Sequence, residues 1–72
     1  MSSQTFLTRL LDNAGKQIDF QRWAYKRAQT CVDKHRQLLG DSLYLACVKQ
    51  YDPAVITVED SAGRVLDTIA IA

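Results

Sequence analysis

Residues 20–39 contain neither glycine nor proline, and their apolar side chains recur at helical spacing, which makes this stretch the strongest constraint on the chain. Turning successive residues by about 100° gathers Phe20, Ala24, Tyr25, Ala28, Cys31, Val32, His35, Leu38 and Leu39 on one arc, with Gln21 the only polar residue beside His35. The opposite arc holds Arg22, Trp23, Lys26, Arg27, Gln29, Thr30, Asp33, Lys34, Arg36 and Gln37. The spacing predicts one amphipathic helix over 20–39, with Asp19 as its N-cap, Ile18 stapled onto Trp23, and Gly40 closing its end.

The flanking segments extend this reading. Phe6, Leu7, Leu10, Leu11 and Ala14 form a helical stripe with Ser2 or Ser3 as N-cap and Gly15 at the other end, so a first helix is expected over about 3–13. A second interpretation of the same stretch rests on a repeat: Asp12-Asn13-Ala14-Gly15-Lys16 closely matches Asp60-Ser61-Ala62-Gly63-Arg64, which would make both copies hairpin turns. Helix is preferred for the first copy because Lys16 to Ile18 leaves little room for a strand. Segment 42–51 is apolar on every side until Lys49, and the proline at 53 favours a short helix capped by Ser42 over a strand. Residues 54–59 and 64–71, rich in Val, Ile and Thr around the 60–63 turn, read as an antiparallel β-hairpin. The expected fold class is therefore α+β, with two or three helices followed by a C-terminal hairpin in one small domain of 72 residues. The final strand has no charge after Asp67 and no proline, so as a free edge it would invite pairing with another chain.

Charge is unevenly placed. Within 20–39 there are five basic residues and one acidic, a balance of +4; the remaining four basic and seven acidic residues give −3. Such asymmetry can suit an acidic protein surface or phosphates, but a solvated face of an unevenly charged small protein is the preferred explanation. Trp23 among Lys26, Arg27, Thr30 and Lys34 is the composition that stacks a base while cations hold its backbone, and these five residues are the candidate binding set. Cys31 and His35, four apart, with Cys47 beyond, have the spacing of metal ligands or of a Cys-His nucleophile pair. They lie on the apolar arc without a fourth ligand or an orienting carboxylate, so core packing is the expected role, and no catalytic residue, metal or cofactor is assigned.

The element order is similar to that of a winged helix, but the segment that would enter a DNA groove, 42–51, offers only Lys49 and Gln50, and the wing would present Glu59 and Asp60 to the phosphates. Membership is not inferred. No stretch reaches the roughly 18 apolar residues needed to span a bilayer, nothing at the N-terminus resembles a signal peptide, and a reduced, cytoplasmic setting is expected. The function expected is a non-enzymatic protein-interaction module that self-associates, most simply as a homodimer; nucleic-acid binding through Trp23 and the basic face is the alternative.

Overall fold

Phe6, Thr8 and Leu10 are buried while Leu7, Arg9 and Leu11 are half-buried, and this period of two is the signature of a strand rather than of a helix. The computed structural model describes residues 5–71. It has the order β1 (Phe6–Leu11), β2 (Gln17–Trp23), α1 (Ala28–Leu38), α2 (Ser42–Val48), a 3-10 turn (Lys49–Tyr51), β3 (Val55–Glu59) and β4 (Val65–Ala70). All four strands join in one antiparallel sheet ordered β2-β1-β3-β4.

Three expectations are thereby corrected. The helix over 3–13 is instead a central strand and the first half of a hairpin; because both faces of β1 are apolar, Phe6, Leu7, Leu10 and Leu11 imitate a helical stripe. Ser2 and Ser3, the expected caps of that helix, lie outside the described residues. The helix over 20–39 begins only at Ala28, with Arg27 at its cap position and no capping side chain, because Gln17–Trp23 is drawn into the sheet opposite β1. Helices therefore do not precede a lone C-terminal hairpin: strands open and close the chain around two helices. The hairpin read over 54–59 and 64–71 is β3 and β4, and 42–51 is α2 with the 3-10 turn. Asp41 rather than Ser42 caps α2, its carboxylate accepting from the N–H groups of Leu43 and Tyr44 at 2.9 and 3.2 Å.

The repeated turn is real in three dimensions. Asp12 Oδ1 accepts from Ala14 N and Lys16 N at 2.9 and 2.8 Å; Asp60 Oδ1 accepts from Ala62 N and Arg64 N at 3.0 and 2.9 Å. Gly15 and Gly63 adopt φ of +81° and +85°, the left-handed conformation this loop needs at that position. The likeness continues into the strands. Each hairpin carries a bulge at the same place, Leu10/Leu11 opposite Asp19 and Gln17 in one, Val58/Glu59 opposite Asp67 and Val65 in the other. Arg9 faces Thr57 where the two hairpins meet, and these are corresponding positions of the two copies. The sheet is thus two copies of one hairpin related by a pseudo-twofold axis through the Arg9–Thr57 pair.

Only one sheet face is covered. α1 packs over β1 and β3, enclosing Phe6, Leu10, Cys31, Val32, Val48, Ile56 and Val58. The opposite face presents cross-strand rows of Arg22, Leu7, Glu59 and Val65, then Phe20, Arg9, Thr57 and Thr68, then Gln17, Leu11, Val55 and Ala70. Arg9 bonds Glu59 and Gln17 there. No helix among the described residues is long and apolar enough to cross a membrane.

Candidate functional site

The covered side of the sheet holds a chain of polar groups that no local pattern announces. Thr8 occupies an inward position of β1 between Phe6 and Leu10, and His35 is an inward position of α1 one turn beyond Cys31; both are fully buried. Trp23, opposite Phe6 at the end of β2, donates its indole N–H to Thr8 Oγ1 at 2.8 Å. Thr8 Oγ1 lies 2.6 Å from His35 Nδ1, His35 Nε2 lies 2.9 Å from Tyr44 Oη, and Tyr44 donates to Asp19 Oδ2 at 2.7 Å. Gln21 donates to the same carboxylate oxygen at 3.2 Å.

The proton positions follow by elimination. The Asp19 carboxylate oxygen accepts from Tyr44, so the Tyr44 hydrogen points to it. His35 Nε2 must then be the donor toward Tyr44, which leaves Nδ1 of the neutral ring to accept from the Thr8 hydroxyl. Thr8 in turn accepts from Trp23. Every hydrogen runs in one direction, from Trp23 through Thr8, His35 and Tyr44 to the carboxylate. Burial pushes His35 below its ordinary pKa, with the negative charge of Asp19 opposing it, which keeps the ring neutral. Tyr44 is pushed well above the usual phenol range, first by burial and then by its hydrogen bond to Asp19 and that residue's charge.

Such a relay resembles acid–base machinery, but its middle is sealed. Thr8 and His35 have no exposed surface, and three surface clefts are lined by other residues, one of them by Leu7, Arg22, Glu59, Asp60, Ser61 and Gly63. Its work is to tie α1, through His35, and α2, through Tyr44, to β1 and β2. At about 1 kcal/mol net per satisfied bond it is a substantial part of a small domain's cohesion.

The cysteines stand apart from it. Cys31 is buried, its thiol donating to Arg27 O at 3.5 Å, and burial raises its pKa against the opposing effect of backbone hydrogen bonds from Tyr25 and from its own residue. Both His35 nitrogens are engaged, so neither serves Cys31 as a base. Cys47 is exposed on α2. No group of three His, Cys, Asp or Glu among the described residues is placed to hold a metal ion.

The candidate binding set is divided among elements. Trp23 is in β2, Lys26 and Arg27 are exposed in the link to α1, and Thr30 and Lys34 are half-buried on α1. The structure joins Trp23 and Lys34 through Tyr25: the two rings lie 6.0 Å apart at 32°, and Lys34 Nζ is 5.9 Å from the Tyr25 ring centre. Arg22 belongs to the bare sheet face, so the single basic arc expected for 20–39 does not exist. Sequence reasoning missed Thr8, Asp19, Tyr25 and Tyr44 as members of a site. Asp19 and Tyr44 carried misleading local signals, a helix cap and an apolar segment.

Comparison with protein-family models, with curated proteins and with solved structures finds no match to this chain.

Proposed function

We propose that the chain is a small non-enzymatic protein-interaction module that self-associates. The observation that carries this reading is the sheet's uncovered face: helices lie on one side only, and the other side exposes Phe20 and Val65 at 46% and 54% beside half-buried Leu7, Leu11 and Val55. The one histidine spends both ring nitrogens on Thr8 and Tyr44 and is given a structural part in this reading. Two free thiols suit a reducing compartment such as the cytoplasm.

A second copy around a twofold axis is the simplest closed assembly. Light scattering across the micromolar range tests it: a molar mass rising toward twice that of the chain supports self-association, and a constant monomer mass refutes it.

Nucleic-acid binding is the second reading, favoured by the Trp23–Tyr25–Lys34 cluster beside exposed Lys26 and Arg27. Titration with single-stranded and duplex oligonucleotides at two salt concentrations tests this reading, since phosphate contacts weaken steeply with salt.

A further inference from the structure

The two copies of the hairpin end in two edge strands, β2 and β4, and they treat those edges differently. Ile71 N donates to Ala54 O at 2.9 Å, and the alternation of an antiparallel ladder then points the main-chain groups of Thr68 and Ala70 away from β3 into solvent. The Thr68 N–H does not stay open, because Asp67 Oδ1 accepts from it at 2.8 Å. A carboxylate folded onto its own strand blocks the donor that an added strand would need, and puts a negative charge at the edge.

Asp19 is the corresponding residue of the first hairpin, and Phe20 corresponds to Thr68. The same alternation turns the main-chain groups of Phe20 and Arg22 outward from β2. Here, however, the carboxylate is held on the inner side by Tyr44 Oη and the Gln21 amide, and it does not cap Phe20. The relay has taken the guard from this edge. Phe20 itself is 46% exposed on the bare sheet face.

We infer that β2, not β4, is the edge through which the protein self-associates, by antiparallel pairing of two β2 strands about a twofold axis at Phe20. The inference rests on the self-association proposed above and assigns its contact to an edge: the pairing joins the two bare faces side by side at Phe20 and does not cover them. Phe20 is the midpoint of Gln17–Trp23, so this register alone pairs the whole strand. It sets Phe20 opposite its own copy, Asp19 opposite Gln21, and Ile18 opposite Arg22. Centring instead on Asp19 or on Arg22 would set like charges directly opposite each other. The paired Phe20 rings cover each other, and each Phe20 exchanges two main-chain hydrogen bonds across the axis. A seven-residue edge buries less than about 1200 Å², which belongs to weak association.

Cysteine trapping tests the inference. In a Cys47→Ser background, Phe20→Cys and Thr68→Cys are compared under mild oxidation on non-reducing gels, with circular dichroism confirming the fold and light scattering run on the unaltered chain. Both substituted positions are solvent-exposed. Directly opposed, hydrogen-bonded residues have Cα atoms about 5.5 Å apart, within disulfide range. The expected result is rapid cross-linking of Phe20→Cys and little of Thr68→Cys. Equal cross-linking of both, or preference for Thr68→Cys, overturns the choice of edge. If neither cross-links while the unaltered chain dimerises, β2 is overturned and self-association stands. A unaltered chain that stays monomeric overturns both.

Discussion

Replacing Thr8 by valine keeps the shape of a fully buried side chain and deletes one oxygen, the oxygen that joins Trp23 to His35. Two groups then lose their partner. The His35 Nδ1 is enclosed and reaches no water, so its desolvation costs about 1–3 kcal/mol; the Trp23 N–H is half-buried and costs about 0.5–1 kcal/mol. The new methyl group regains about 0.8 kcal/mol of burial. The net loss is about 1–3 kcal/mol against a total of about 4–11 kcal/mol for a chain of this length. With a urea dependence of about 1 kcal/mol per molar, the unfolding midpoint should fall by about 1–3 M, and Tm by about 4–8 °C for each kcal/mol. Urea titration followed by far-ultraviolet circular dichroism measures this directly. A loss below about 0.5 kcal/mol would show that Thr8 is not a linking member of a satisfied network.

Three other outcomes are expected. His35 is the only histidine, and its pKa is lowered on folding. The unfolded chain therefore binds the proton more readily, and stability present above about pH 6.5 should fall as pH drops toward the folded pKa, by at most about 1.4 kcal/mol per pH unit; urea midpoints between pH 7.5 and 5.5 should show this slope, and His35→Gln should abolish it. Asp67→Ala removes the cap on Thr68 N–H, giving the molecule two open edges, so light scattering should detect assemblies larger than those of the unaltered chain; an unchanged mass would deny the guarding role. Gly15→Ala and Gly63→Ala impose a side chain on matching positive φ with no atom within 4 Å of the new Cβ, so each should cost about 1 kcal/mol from backbone strain alone, and urea midpoints differing widely between the two would contradict the equivalence of the turns.

What the residues reveal unaided depends on how local the deciding physics is. The turn at Asp60–Arg64 was legible, because an aspartate that binds two N–H groups ahead of it and a glycine at positive φ act within five residues; the matching motif at Asp12–Lys16 carries the same signal, but the apolar stripe before it favours a helix on local grounds, and the structure overturns that preference. The β3–β4 hairpin was legible for the same reason, as was the burial of Cys31 and His35 on the apolar side of α1. Less local features misled. Phe6–Leu11 has apolar residues on both faces because it is a central strand, and its pattern imitates a helix. Asp19 has the chemistry of a helix cap, but Tyr44, distant in sequence, claims its carboxylate.

Thus the sequence by itself determined the turn chemistry, the α1 core face and the closing hairpin, all consequences of neighbours along the chain. Only the tertiary structure decided that Gln17–Trp23 is a strand, since pairing with β1 satisfies its backbone and outweighs a helical propensity worth tenths of a kcal/mol per residue. The tertiary structure also assembled Trp23, Thr8, His35, Tyr44 and Asp19 into one hydrogen-bonded line. No periodicity encodes that line, because its members come from four different elements and meet only when the helices settle on the sheet.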